Sequence, residues 1–211
     1  MQDRALNSAP QPCPHPPHRR GAASTRTAAQ AAATYLGVMD WPLTLGHESR
    51  PRHGCTCQRA ADCPTPGAHP RPGPLTYPGT PGEFLNELEA APGAALITPT
   101  VAFDALVVSH QLGMRAVAEL ERLAPVPCIV APGHAVILVL PGTGGDAVDG
   151  MVEFVEVRTG PEGWIALPPT RGLVWDTPPW FGRTDVAVPL VHGGDVGRHL
   201  WFACRTEAGT R

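Results

Sequence analysis

Hydrophobic positions along the chain follow two kinds of pattern. In the first, nearly every residue is apolar: residues 94–97 (Ala-Ala-Leu-Ile), 101–108 (Val-Ala-Phe-Asp-Ala-Leu-Val-Val) and 134–140 (His-Ala-Val-Ile-Leu-Val-Leu). Such runs, rich in β-branched residues and bounded by Gly and Pro, predict strands. The lack of alternation predicts central strands covered on both faces. Thr98-Pro99-Thr100 between the first two runs predicts a tight connection. In the second pattern, apolar residues recur at helical spacing. Residues 25–36 predict a helix capped by Ser24, with Gly37 at the C′ position. Residues 81–89 place Phe84, Leu85 and Leu88 on one face. Residues 113–123 do the same with Met114, Val117, Leu120 and Leu123, and Pro125 and Pro127 end that helix.

The remaining elements are shorter. Residues 40–45 (Asp-Trp-Pro-Leu-Thr-Leu) predict an edge strand, where a proline is tolerated. Residues 151–157 alternate Val152, Phe154, Val155 and Val157 with Glu153 and Glu156. Residues 164–167 and 173–175 predict further strands on either side of a Pro168-Pro169-Thr170-Arg171 turn. Residues 186–191 predict a short strand and residues 199–204 a final helical turn. Trp41, Trp164 and Trp175 read as packing aromatics.

One position breaks the apolar pattern. Asp104 stands in a strand that reads as buried, and a carboxylate there must be paired, metal-bound or turned outward, because burying it bare costs several kcal/mol. Strand alternation puts Phe103, Ala105, Val107 and Ser109 on one face and Asp104, Leu106 and Val108 on the other.

Residues 46–82 change character: they are dense in Pro, Gly and Arg, with almost no core-forming residue. A segment this long without apolar content needs another staple or stays loose. Cys55, Cys57, Cys63 and His69 offer three thiolates and one imidazole, a tetrahedral zinc set with no open position, hence structural. The alternative is a loose loop with incidental thiols. Cys128 and Cys204 read as small buried hydrophobes. The Gly-rich turn at residues 141–145 is not a phosphate loop, since no Lys follows it.

Composition adds limits. The chain has 211 residues, 43% of them hydrophobic, so one folded domain is the expectation, with 26 Pro and 23 Gly implying many loops. Net charge is −3 and every Lys/Arg position is Arg. Residues 1–71 carry eight Arg against four acids, while 72–211 carry eight against fifteen. Any nucleic-acid-facing surface is therefore local. No apolar run reaches the ~20 residues of a membrane span, and the Pro/His-rich start lacks a signal-peptide core. The expectation is a cytoplasmic protein with no membrane association, a disordered tail at 1–21, a domain over 22–205 containing the insert 46–82, and a tail at 206–211.

The order of these features resembles a known family. A helix, a Trp-Pro-Leu strand, a Cys/His insert, an acidic helix, Phe103-Asp104-Ala105-Leu106-Val107-Val108, Gly133-His134 opening a strand, a Glu/Val strand and a Pro168-Pro169-Thr170 turn follow one another. Together they are similar to the N-terminal domain of bifunctional DNA primase/polymerases of the archaeo-eukaryotic primase superfamily, in its short actinobacterial form. The resemblance covers residues 28–175. It implies an α/β (α+β) fold in which a mixed central sheet is flanked by helices. It also implies a nucleotidyltransferase site in which an Asp-x-Asp strand and a later acid hold two divalent cations while a His contacts nucleotide phosphates. On this chain the His falls at His134 and the later acid at Glu156, but the two aspartates fall at Val107 and Ser109.

Catalysis is therefore expected to be lost or severely weakened, since one Glu and a neutral Ser hold a hard cation poorly. Mg or Mn would be relevant only to residual activity. Asp104 is a substitute only if a bulge turns it to the other face. His134 reads equally as a hydrogen-bonded structural histidine. Glu156 beside Arg158 reads as a solvated strand face, and Arg158 and Arg171 as phosphate contacts or surface salt bridges. Two functions follow: an impaired primase/polymerase-like protein meeting DNA and nucleotides, or a zinc-stapled regulatory module binding nucleic acid or protein. With no helicase module, either is expected to act alone or with a protein partner in trans.

Overall fold

A computed structural model describes residues 26–50, 52–148, 153–181 and 186–208. The expected tail at 1–21, Ser24 and the last three residues lie outside that set. Thr27, not Ser24, caps the first helix, α1 (Ala28–Gly37), through a capping box with Gln30. The chain turns at Asp40 (φ 53°) and enters β1 (Thr44–Arg50), which forms a hairpin with β2 (Gly54–Cys55). A single 3-10 turn covers Ala60–Asp62. Thr80 and Glu83 form a second capping box that starts α2 (Pro81–Ala90).

Two strands then form the spine of the sheet. β3 (Ala94–Ser109) runs sixteen residues, and Thr98-Pro99-Thr100 does not turn the chain. Pro99 instead sits at a register shift, where a missing N–H costs the ladder least. β3 leads directly into α3 (His110–Leu120), with Ser109 as N-cap accepting from the Leu112 N–H. After α3 come β4 (Cys128–Ala131) and β5 (His134–Val139), joined by Pro132-Gly133. Gly133 has φ 83°, the conformation that position of a Pro-Gly turn requires.

β6 (Val155–Leu167) likewise merges two expected strands into one. It bends at Gly160 and passes so close to β3 that a Cβ on Gly163 would lie 2.2 Å from Thr100 Oγ1. β7 (Val174–Thr177) and the small pair β8 (Trp180–Phe181) and β9 (Val186–Ala187) follow, then α4 (Gly193–Ala208). α4 is far longer than the helical turn expected at 199–204, and it runs into the expected tail at 206–211.

The sheet order is β2-β1-β3-β5-β4-β7, with β6 on the opposite side of β3. Every pairing among the described residues is antiparallel. The expected mixed sheet is thus corrected. α3 does return β4 parallel to β3, but β5 is inserted between them, so no parallel neighbours result. The protein is an α+β fold with helices on both faces. One core joins α1 and α2 to the sheet through Tyr35, Phe84, Leu96, Phe103 and Leu138. The other joins α3 and α4 through Leu106, Val108, Ala116, Ile137 and Leu200. This two-sided covering is why β3 and β5 are apolar at nearly every position.

Aromatic packing and a buried hydrogen-bond chain hold the first core. Trp41 stacks on Tyr35 at 5.8 Å and meets Phe103 at 4.6 Å. The buried Tyr35 hydroxyl donates to the Pro168 carbonyl (2.6 Å) and accepts from Trp175 Nε1 (2.7 Å). The Pro168–Pro169 peptide is cis. Thr170 in the same turn accepts from the Leu96 N–H at 3.0 Å, which pins the turn to the first half of β3.

Candidate metal centre and sheet-face groove

Cys55, Cys57, Cys63 and His69 converge: one ligand atom from each lies within 4.8 Å of all the others. No other group of three or more His, Cys, Asp or Glu is so placed among the described residues. Cys55 sits on β2, Cys57 follows it, Cys63 ends the 3-10 turn, and His69 returns to β1. The backbone makes this return firm. The His47 N–H donates to the His69 carbonyl (3.0 Å) and the Thr56 N–H to that of Glu48 (2.9 Å). Gly46 pairs with Pro70, and a Cβ on Gly46 would stand 2.5 Å from the His69 oxygen.

His69 is oriented as a ligand. Its Nδ1 lies 3.1 Å from the Pro70 carbonyl, which can only accept, so Nδ1 carries the proton. Nε2 then turns its lone pair toward Cys55 Sγ at 3.3 Å and Cys63 Sγ at 3.4 Å. Ligand-to-ligand edges of about 3.6 Å follow from zinc–sulfur and zinc–nitrogen bond lengths in a tetrahedron. The two edges from His69 Nε2 are close to that size, and every other edge lies within 4.8 Å. The Gly67 N–H donates to Cys55 Sγ at 3.3 Å.

The thiols differ in exposure. Cys55 and Cys63 are 4% and 7% exposed, while Cys57 is only half-buried. Burial pushes the Cys63 thiol up. Burial acts the same way on Cys57, but hydrogen bonds from the Arg59 backbone and the other cluster members outweigh it and hold Cys57 at about 6. His47, which sequence reading passed over as a ligand neighbour, lies with its ring 4.5 Å from that of His69.

A second feature lies at the far end of β3. In the register of the sheet, Val107 stands opposite both Val136 and Glu156, and Ser109 stands opposite His134. Residues directly opposite share a face, so Val107, Ser109, His134 and Glu156 lie on one side of the sheet. They line an open groove of about 380 Å³ together with Gly133, Phe154 and a second acid, the exposed Glu153. Phe154, expected to point inward, is 56% exposed at the rim. Glu156 is not an isolated carboxylate: Arg158 Nε donates to it at 2.7 Å. The same guanidinium donates to the Trp164 carbonyl at 3.2 Å and lies 5.0 Å from the Trp164 ring centre.

The other two expected site residues lie elsewhere. Asp104 is 2% exposed on the opposite face of β3, beside the Gly144–Ala147 turn. Its Oδ2 accepts from the Gly144 N–H (2.7 Å) and its Oδ1 from the Thr159 hydroxyl (2.6 Å). The pairing demanded by burial is thus met by hydrogen bonds, and the carboxylate ties β3, β6 and the Gly-rich turn together. Arg171 is exposed beside Thr170, at the Leu96 end of β3, and not at the groove. Comparison with protein-family models, curated proteins and solved structures returns no match. Among the described residues no helix is long and apolar enough to cross a membrane.

Proposed function

We propose that the chain is a zinc-stapled, primase/polymerase-like protein that binds nucleotides or DNA on the sheet face and lacks effective nucleotidyl transfer. The observation that carries this reading is the register of β3. The positions matching the family's metal-binding acids and phosphate-contacting His fall on one face and line one groove, while Val107 and Ser109 occupy two of them. Glu156, the remaining acid, is neutralised by Arg158. Two-metal transfer needs carboxylates that hold both ions and offset their charge; this groove supplies Glu156, already paired with Arg158, and Glu153, which precedes β6 and matches none of the family's acid positions. Ser109, His134 and the exposed Phe154 ring at the groove, with Arg158 beside it on Glu156, suit a phosphate and a base better than a metal pair.

Zinc is assigned to Cys55, Cys57, Cys63 and His69. Four protein ligands close the coordination sphere, so the ion braces residues 46–82 and supplies no open position for chemistry. The decisive experiment pairs two assays on the zinc-loaded chain. Fluorescence anisotropy with a labelled primer–template should show binding that weakens at least about threefold in His134→Ala, the loss of one phosphate-directed hydrogen bond. Primer extension with Mg²⁺ or Mn²⁺ and deoxynucleotides should stay at background. Template-directed extension abolished by Glu156→Ala would overturn the impaired-catalysis reading. Absence of any DNA or nucleotide binding would leave the purely regulatory zinc module in its place.

A further inference from the structure

The four ligands of the Cys/His centre are unequally protected. Cys55 and Cys63 are buried, and Cys55 sits beneath Gly67, whose N–H covers its sulfur. Gly67 is itself packed on β1, where a Cβ would stand 2.8 Å from the Ser49 nitrogen. Cys57 alone of the three thiols is part-exposed, on the outer side of the cluster between β2 and the Ala60–Asp62 turn. The two buried sulfurs lie within 4.8 Å of it. A thiolate open to solvent with two others at its back is the arrangement of a sensor cysteine beside a resolving one.

We propose that this centre is an oxidation-sensitive site in which a hydroperoxide reacts first at Cys57 and the resulting disulfide expels the metal. The proposal rests on the zinc assignment above. In the first step the Cys57 thiolate attacks one peroxide oxygen. The O–O bond breaks, hydroxide leaves, and Cys57 becomes a sulfenic acid. In the second, the thiolate of Cys55 or Cys63 attacks the Cys57 sulfur, an S–S bond forms, and a second hydroxide leaves. Two thiolates have lost two electrons in total and the peroxide has gained them. The ion keeps only one thiolate and His69, too few to retain it. Loss of the centre then releases what it braced: the His47–His69 and Thr56–Glu48 backbone bonds that hold the insert on β1.

The test uses the full zinc-loaded chain and hydrogen peroxide. Stoichiometric peroxide should release about one zinc per chain to a chromogenic chelator, as one tetrahedral site requires. Mass spectrometry should find Cys57 linked to Cys55 or Cys63, and the amides of His47 and Thr56 should exchange faster. Dimedone present during substoichiometric oxidation should label Cys57 ahead of the other two. Cys57→His keeps four ligands and should release zinc at least about tenfold more slowly, since the accessible thiolate is gone. Zinc retained against peroxide, or dimedone on Cys55 or Cys63 first, overturns the proposal while leaving the zinc assignment standing. A chain that holds no zinc before oxidation overturns both.

Discussion

The Cys/His centre draws its ligands from the fifteen residues 55–69, while the sheet-face groove draws its polar rim from β3, β5 and β6, strands spread over residues 94–167. The first is chemically complete and structurally dependent: little but its own ligands and a few backbone bonds to β1 holds the segment. The second is structurally independent, because Val107, His134 and Glu156 are set in place by a ladder that would exist without any ligand. Such a frame persists whatever chemistry its rim carries, because it belongs to the core. A staple has no such reserve. Beyond the Gly67 N–H on Cys55 and the backbone bonds to β1, its residues have little to bring them together other than a shared ion.

That contrast breaks most readily at the insert. Replacing both Cys55 and Cys63 by Ser should abolish metal binding outright, since only one thiolate and one imidazole remain, and metal analysis should fall from about one zinc per chain to none. Hydrogen exchange should become fast across residues 54–70, while amides of β3 and β5 keep their protection. Collapse of sheet protection together with the insert would show that the two regions are one cooperative unit and that the contrast is false.

Asp104 probes the frame from the other side. Asp104→Ala leaves the buried Gly144 N–H without its partner and removes the acceptor of the exposed Thr159 hydroxyl, the tie to β6. The cost should be about 3 kcal/mol, read as a lower urea midpoint with zinc content unchanged. An unchanged midpoint would mean that water replaces the carboxylate and that the tie between β3 and the Gly-rich turn matters little. Gly46→Ala sits at the junction. Its methyl meets the His69 carbonyl at 2.5 Å and Ile97 at 2.9 Å. Overpacking of this kind costs about 1–3 kcal/mol, and because the insert yields more easily than the sheet, the loss should appear as weaker zinc retention against a chelator. A drop in global stability with retention unchanged would place the strain in the sheet instead.

The sequence made the two regions legible to different degrees, for physical reasons. The ligand set could be read directly, since three Cys and a His in a core-free segment have few other uses. The central strands and helices α2 and α3 could be read from periodicity. Several failures have a common cause: Pro and Gly were taken as breaks where the fold uses them at bulges inside strands or at close approaches. Pro99 and Gly160-Pro161 mark bulges inside β3 and β6, not turns. Gly193 and Gly197 looked like the end of structure. They form the start of α4, where a Cβ would collide with Thr143 or Ala147. β4 was missed although Cys-Ile-Val-Ala followed by Pro-Gly is a hairpin signal. The partners of Asp104 lie 40 and 55 residues away, a separation that no local pattern encodes.

The smallest and sharpest test restores what the groove lacks. Ser109 is exposed and Val107 is part-buried where it packs against the first core, so in Val107→Asp with Ser109→Asp only position 107 gives up apolar packing. At position 109 the change also keeps the helix cap, because Asp accepts from the N-terminal N–H groups of α3 as Ser109 now does. The fold should therefore lose about 1–2 kcal/mol, mostly at position 107. The two new carboxylates stand on the face of β3 that carries His134 and Glu156 as cross-strand neighbours. Three acids converging there gather oxygen ligands of the kind hard divalent cations require. Mn²⁺ affinity, measured by paramagnetic relaxation of water, should rise at least about tenfold, or 1.4 kcal/mol. Glu156→Ala in that background should remove most of the gain, because Glu156 would then exchange its Arg158 partner for the ion. A gain that survives Glu156→Ala would show the aspartates binding metal by themselves at the end of β3. No gain at all would mean that the register of β3 does not bring positions 107, 109 and 156 to one point, and the kinship argued from that register would fall with it.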